Sequence, residues 1–143
     1  VCHGRLEPGK PFDASFQLHG DERLTLLDIV RSRLATAEFA FLSACHTAEI
    51  TEGSIEDESL HLAAAVQYCG FRSVVGTMWA MADMDGQGLV EDFYKSTFSC
   101  EESGAGVAYY ERTARALRDA VKKLRRKKGV PLERWVNFVH YGA

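Results

Sequence analysis

The sequence predicts an α/β domain with a mostly parallel sheet flanked by helices, and three observations carry that prediction. Two short apolar runs, Glu38 to Leu42 and Ser73 to Trp79, are bounded by polar residues and glycines, the pattern of strands buried on both faces. Segments with helical spacing of apolar residues lie before, between and after them. Each run also opens into residues capable of chemistry, Ser43-Ala44-Cys45-His46-Thr47 after the first and Asp83 and Asp85 after the second. In open α/β sheets, ligands bind beyond the carboxyl ends of the strands, so these endings mark the rim to inspect.

The size and charge of the chain fit one soluble domain over residues 1–143. Its 143 residues, 46% hydrophobic and 26% charged, are enough to bury a real core. No apolar run approaches the roughly 20 residues of a spanning helix, so no membrane partner is expected. A net charge of −3 argues against a dedicated nucleic-acid binder. The chain opens at Val1 without methionine, and it is read as a piece of a longer protein.

In chain order, Val1-Cys2-His3-Gly4 reads as the tail of a strand, and Pro8-Gly9 with Pro11 as loop. Ser15 to His19 alternates polar and apolar residues, which predicts a half-exposed strand at a sheet edge or in a small hairpin ended by Gly20-Asp21. Thr25-Leu26-Leu27-Asp28 has the form of a capped helix start, and a helix of about three turns to Leu34 or Ala35 would bury Leu26, Ile29, Val30 and Leu34. His46 to Ser54 reads as loop. Glu56-Asp57-Glu58 begins a second helix, with Leu62, Val66 and Cys69 inward and Gly70 as its stop.

Beyond the second buried strand, Leu89, Val90, Phe93, Tyr94 and Phe98 predict a helix beginning near Gly86. Val107, Tyr110, Ala114, Leu117, Val121 and Leu124 follow at steps of 3 and 4 as the clearest amphipathic helix. It carries Arg115, Arg118, Lys122, Lys123, Arg125, Arg126, Lys127 and Lys128 before Gly129 and Pro131, a solvated basic face favoured over a docking or nucleic-acid patch. Trp135 to Tyr141 reads as a closing strand.

Cys2, Cys45, Cys69 and Cys100 show no regular spacing, which favours reduced thiols in a cytosolic or nuclear setting. A zinc site from the doublets Cys2-His3 and Cys45-His46 is disfavoured, because chain neighbours in extended segments point to opposite faces. Cys69 reads as core. The remaining constellation is nucleophilic. A strand-end cysteine needs a base from a neighbouring strand end, and His3 meets that need for Cys45. Gly4 permits close backbone approach, so its N–H and that of Cys45 form a candidate oxyanion hole. His46 is the competing base, disfavoured because chain neighbours seldom align for proton transfer. His19, His61 and His140 read as surface or sheet-edge residues.

His3-Gly4, then Leu42-Ser43-Ala44-Cys45-His46-Thr47, then Gly70-Phe71-Arg72-Ser73-Val74-Val75-Gly76-Thr77-Met78-Trp79 with Asp83, and finally Trp135-Val136-Asn137-Phe138-Val139, resemble the CHAT domains. These belong to the caspase-like (clan CD) cysteine peptidases, and the likeness spans nearly the whole sequence. It implies a caspase-like three-layer sandwich whose first strand and helix precede Val1. It also implies a His3–Cys45 dyad that cleaves proteins or peptides, without cofactor or metal. By likeness to separases, Asp83 or Asp85 would receive a basic P1 side chain, the alternative for each being a helix cap. Such domains accompany TPR repeats, so repeats in the same full-length chain and control by them or by partners are expected. The competing expectation is a non-enzymatic interaction module that keeps the fold.

Overall fold

The structure, a computed structural model, describes residues 2–5, 15–32, 34–42, 44–45, 63, 65–79, 83–99 and 108–142; within these, the side chains of residues 2–5, 44–45 and 83–84 are not described. It is a mixed α/β arrangement. The strands are β1 (Cys2–Arg5), β2 (Ser15–Gln17), β3 (Arg23–Thr25), β4 (Phe39–Phe41), β5 (Ala44–Cys45), β6 (Ser73–Thr77) and β7 (Phe138–Gly142). The helices are α1 (Leu26–Arg31), α2 (described at residues 63 and 65–68), α3 (Asp83–Phe98), α4 (Tyr109–Arg126) and the single turn α5 (Leu132–Trp135).

Two sheets form, ordered β3-β2-β1-β5 and β4-β6-β7. They meet along one stretch of chain. Leu42 N–H still donates to the Val75 carbonyl at 2.7 Å, which extends the β4 ladder to within one residue of β5. In the chain β5 follows β4 closely, and β4 pairs with β6 while β5 pairs with β1. Both of those pairings are parallel. The pairings β1–β2, β2–β3 and β6–β7 are antiparallel, so both sheets are mixed, with two parallel pairings against three antiparallel ones where the sequence predicts a mostly parallel sheet.

β6 is the middle of the core because successive residues face opposite sides of a sheet. Val74 packs with Phe16, Leu26, Ala63 and Val66 on one side. Val75 packs with Leu89, Phe93, Leu117, Leu124 and Phe138 on the other. Helices therefore cover both faces of this strand, α1 and α2 on one and α3 and α4 on the other. Phe93, fully buried, sits among Phe39, Phe41 and Tyr94 at centroid distances of 5.9, 4.8 and 5.4 Å.

Several expected elements take a different form. The Thr25 cap is present: its hydroxyl accepts from Asp28 N–H at 3.1 Å, and the Asp28 carboxylate accepts from Thr25 N–H at 3.0 Å. The helix it starts ends at Arg31, short of Leu34, because Ser32 caps it and turns its hydroxyl back onto the Ile29 carbonyl at 2.6 Å. Leu26 is buried, whereas Leu34 is 46% exposed. The hairpin at Ser15 is β2–β3, turned through Gly20 at φ 68°. Gly70 ends α2 with φ 104°, as expected of a glycine stop. The start of α2 at Glu56-Asp57-Glu58, Leu62, His61 and the loop from His46 lie outside the described residues.

On α4 the buried face is Thr113, Ala116, Leu117, Ala120 and Leu124, with Ala114 exposed, so the stripe is rotated from the one expected. Thr113, Ala116 and Ala120 are small, which allows close approach to α3 and the sheet. α3 starts at Asp83 rather than near Gly86. Trp135 belongs to α5 rather than to a strand, since Pro131 at the N-cap starts a helical turn there.

Candidate functional site

The site is built on the rim where the parallel strands end. β1 and β5 run the same way, so the chain leaves both on the same side. β1 and β5 pair in the register Cys2↔Ala44 and His3↔Cys45. His3 and Cys45, 42 residues apart in sequence, are thus direct backbone partners on strands that lie roughly 4.8 Å apart. Gly4 follows His3 and pairs with Phe16 of β2. The side chains of His3 and Cys45 belong to those not described. His46, the competing base, lies outside the described residues.

Met78 and Trp79 follow β6, and their backbone is tied to the chain's last elements. Asn137 is fully buried; its Oδ1 accepts from Trp79 N–H at 2.8 Å and its Nδ2 donates to the Trp79 carbonyl at 2.8 Å. Met78 N–H donates to the Asn137 carbonyl at 3.0 Å. The Trp79 indole Nε1 donates to the Glu133 carbonyl at 3.0 Å, while the residue remains 37% exposed.

The two aspartates part company here. Asp83 is the first residue of α3, with its side chain among those not described. Asp85 is buried at 4% exposure, and its carboxylate accepts two bonds from one guanidinium. Arg134 Nη2 donates to Oδ1 at 2.7 Å and Arg134 Nε to Oδ2. The bonds to Asp85 raise the Arg134 pKa, the expected sense for a paired guanidinium. A basic substrate side chain reaching Asp85 would have to compete with this pair.

A polar triangle lies elsewhere on β6. Ser73 Oγ is 2.5 Å from Thr113 Oγ1 and 2.8 Å from His140 Nε2, and Thr113 Oγ1 is 3.1 Å from the same ring nitrogen. Ser73 and Thr113 are fully buried. Burial pushes the His140 pKa below its ordinary 6.5. His140 is at a sheet edge as expected, but its ring is engaged inward. His19 is exposed on the β2–β3 turn.

Cys69 is half-buried, with its thiol donating to the Ala65 carbonyl at 3.0 Å and its pKa raised by burial, as for an unreactive thiol. Among the described residues no cluster of ligating side chains could hold a metal, and no helix is long and apolar enough to cross a membrane.

The residues that sequence reasoning passed over are Arg134, Asn137 and the Ser73–Thr113–His140 triangle. Asn137 carried a signal, a lone amide inside the apolar run Trp135 to Tyr141. Arg134 carried none, since its partner is 49 residues away. The protein-family model described as CHAT domain matches residues 1–143. Among curated proteins none matches the chain.

Proposed function

This chain belongs to the CHAT-domain family, which is caspase-like and related to the cysteine peptidases, and we propose that it is a cysteine-type endopeptidase domain working through His3 and Cys45. The observation that carries the reading is the register pairing of His3, inside β1, with Cys45, the last residue of the parallel strand β5. The caspase-like three-layer sandwich is supported by the two core clusters on opposite faces of β6.

In this mechanism the imidazole of His3 draws the thiol of Cys45 toward thiolate. The sulfur attacks the peptide carbonyl, and the N–H groups of Gly4 and Cys45 receive the developing oxyanion. His3, now protonated, gives its proton to the leaving amine, and a thioester remains on Cys45. Water, deprotonated by His3, hydrolyses the thioester and releases the acid. A basic P1 side chain is received by Asp83, because Asp85 already carries Arg134. Attached TPR repeats or other partners regulate the domain in a cytosolic setting.

The test is turnover of Arg-P1 peptide amides by the full-length protein, together with labelling by an Arg-directed acyloxymethyl ketone. Cys45→Ala and His3→Ala are each expected to abolish turnover, and Cys45→Ala to abolish labelling. Turnover that survives Cys45→Ala refutes the reading.

An interaction module is the second reading, and the charge distribution favours it. Nine of the 17 lysines and arginines lie between Arg112 and Lys128, with Asp119 the one acid in that span. Reversing Lys122, Lys123, Arg125 and Arg126 is expected to abolish partner capture under this reading. Capture that persists at low salt leaves those residues a solvated face.

A further inference from the structure

One short element holds the chain on both sides of residues 80–84. Before them, Asn137 meets both the N–H and the carbonyl of Trp79 with its side-chain amide, at 2.8 Å each. That is the two-bond exchange of a ladder pair, made by a side chain just before β7 begins. Glu133 and the Asn137 carbonyl add the bonds from the Trp79 indole and Met78 N–H, both at 3.0 Å. After them, Arg134 grips both carboxylate oxygens of Asp85 in the first turn of α3. All these groups come from residues 133–137, so the end of β6 and the start of α3 are set by the same few residues.

A planar guanidinium gripping a buried carboxylate in a bidentate pair fixes orientation as well as distance. A buried amide with both its groups bonded does the same for the backbone it faces. We propose that Arg134 and Asn137 are positioning residues for substrate recognition: from α5 and its exit they fix β6 against α3 and thereby set where Asp83 stands for a basic P1 side chain. The proposal rests on the peptidase reading above. It adds that Asp85 serves recognition through its pairing with Arg134, not by meeting the substrate.

Positioning predicts a particular kinetic signature. Groups that orient recognition without touching the scissile bond act on binding, so their loss falls on KM, with kcat nearly unchanged. The experiment uses the full-length protein, an Arg-P1 peptide amide, and hydrogen exchange at the amides of Met78 and Trp79. Asn137→Ala is expected to speed exchange at Trp79 by about tenfold or more while Val74 and Val75 keep their protection. It and Arg134→Gln should each raise KM by about tenfold with kcat within about twofold. The exchanged pair Asp85→Arg with Arg134→Asp should return KM to within about threefold of the wild type, as a restored pair does in a double-mutant cycle.

Should that exchanged pair cost Val74 and Val75 their protection, the neutral pair Asp85→Asn with Arg134→Gln, which keeps complementary hydrogen-bonding groups, is held to the same threefold. Faster exchange at Trp79 with KM unchanged makes Asn137 a structural clamp only and overturns the proposal. So does a loss confined to kcat, or single and paired substitutions that are equally impaired in KM. If the wild type turns over no substrate and Cys45 takes no label, the peptidase reading falls and this role with it. The exchange result then still reports the clamp by itself.

Discussion

Replacing Thr113 with valine removes one hydroxyl from the Ser73–Thr113–His140 triangle and leaves the shape of the side chain unchanged. Thr113 is fully buried, so no water can take the place of the lost group. Its bond to the Tyr110 carbonyl, 2.7 Å within α4, costs little, because that carbonyl lies in a helix ladder. The contacts that matter are those to Ser73 at 2.5 Å and His140 at 3.1 Å, which tie α4 to β6 and β7. Ser73 keeps His140 as a partner at 2.8 Å, so it is weakened but not orphaned. Net hydrogen-bond contributions near 1 kcal/mol each then give a loss of about 1–2 kcal/mol. With an unfolding entropy of roughly 2 cal/mol/K per residue, this lowers Tm by about 3–7 °C.

Acidification should act on the same seam. The folded state holds His140 below its ordinary pKa of 6.5, so it binds fewer protons there than the unfolded chain. Stability is therefore fully present above about pH 6.5 and falls as pH drops from that value toward the folded pKa. Thermal melts by circular dichroism at pH 8 and pH 5.5 check both effects, with His140→Gln separating this ring from the carboxylates. A shift below about 1 °C for Thr113→Val refutes the energetic argument. A wild type no more acid-sensitive than His140→Gln refutes the electrostatic one.

Two further outcomes follow from packing. Phe93→Ala empties the centre of the Phe39, Phe41 and Tyr94 cluster and should cost about 3–5 kcal/mol in urea unfolding, a loss under about 2 kcal/mol contradicting the assigned burial. Gly142→Ala would set a Cβ 2.1 Å from the Arg72 carbonyl oxygen at a φ of 117°. The end of β7 should peel from β6 at a cost of about 1–3 kcal/mol, read as lost protection of the Val74 amide, which faces Tyr141 of β7 because the Ser73 N–H is given to the Glu38 carbonyl on the other side. Unchanged protection refutes it.

Local chemistry was readable wherever one stretch of sequence decides the outcome. The Thr25–Asp28 cap, the Gly70 stop and the buried strand at Ser73 are of this kind. The parallel pairing of His3 with Cys45 was readable at the level of the backbone, although β1 runs on past His3 to Arg5 instead of ending there. What escaped depends on tertiary fit. The steps of 3 and 4 found α4 but favoured larger side chains, whereas the close-packed face uses Thr113, Ala116 and Ala120. Trp135 to Tyr141 looks uniformly apolar, yet Pro131 starts a helical turn and Asn137 spends its amide on Trp79. Asp85 offered itself as a substrate ligand because Arg134, far away in sequence, gives no local sign of claiming it.

The register that joins β1 to β5 also bears on when the rim can exist during folding. Closing 42 residues between His3 and Cys45 costs about 3 kcal/mol in chain entropy by loop-closure scaling. The β6–β7 pairs, such as Thr77 with Phe138, span still longer intervals. By contrast, the β2–β3 hairpin is local and forms at little entropic cost. Contacts of long sequence separation are rewarded only after such closures, which places them late in folding. His3 and Cys45 are therefore neighbours in the completed sheet and strangers in a half-folded chain, so their pairing is acquired together with the finished fold.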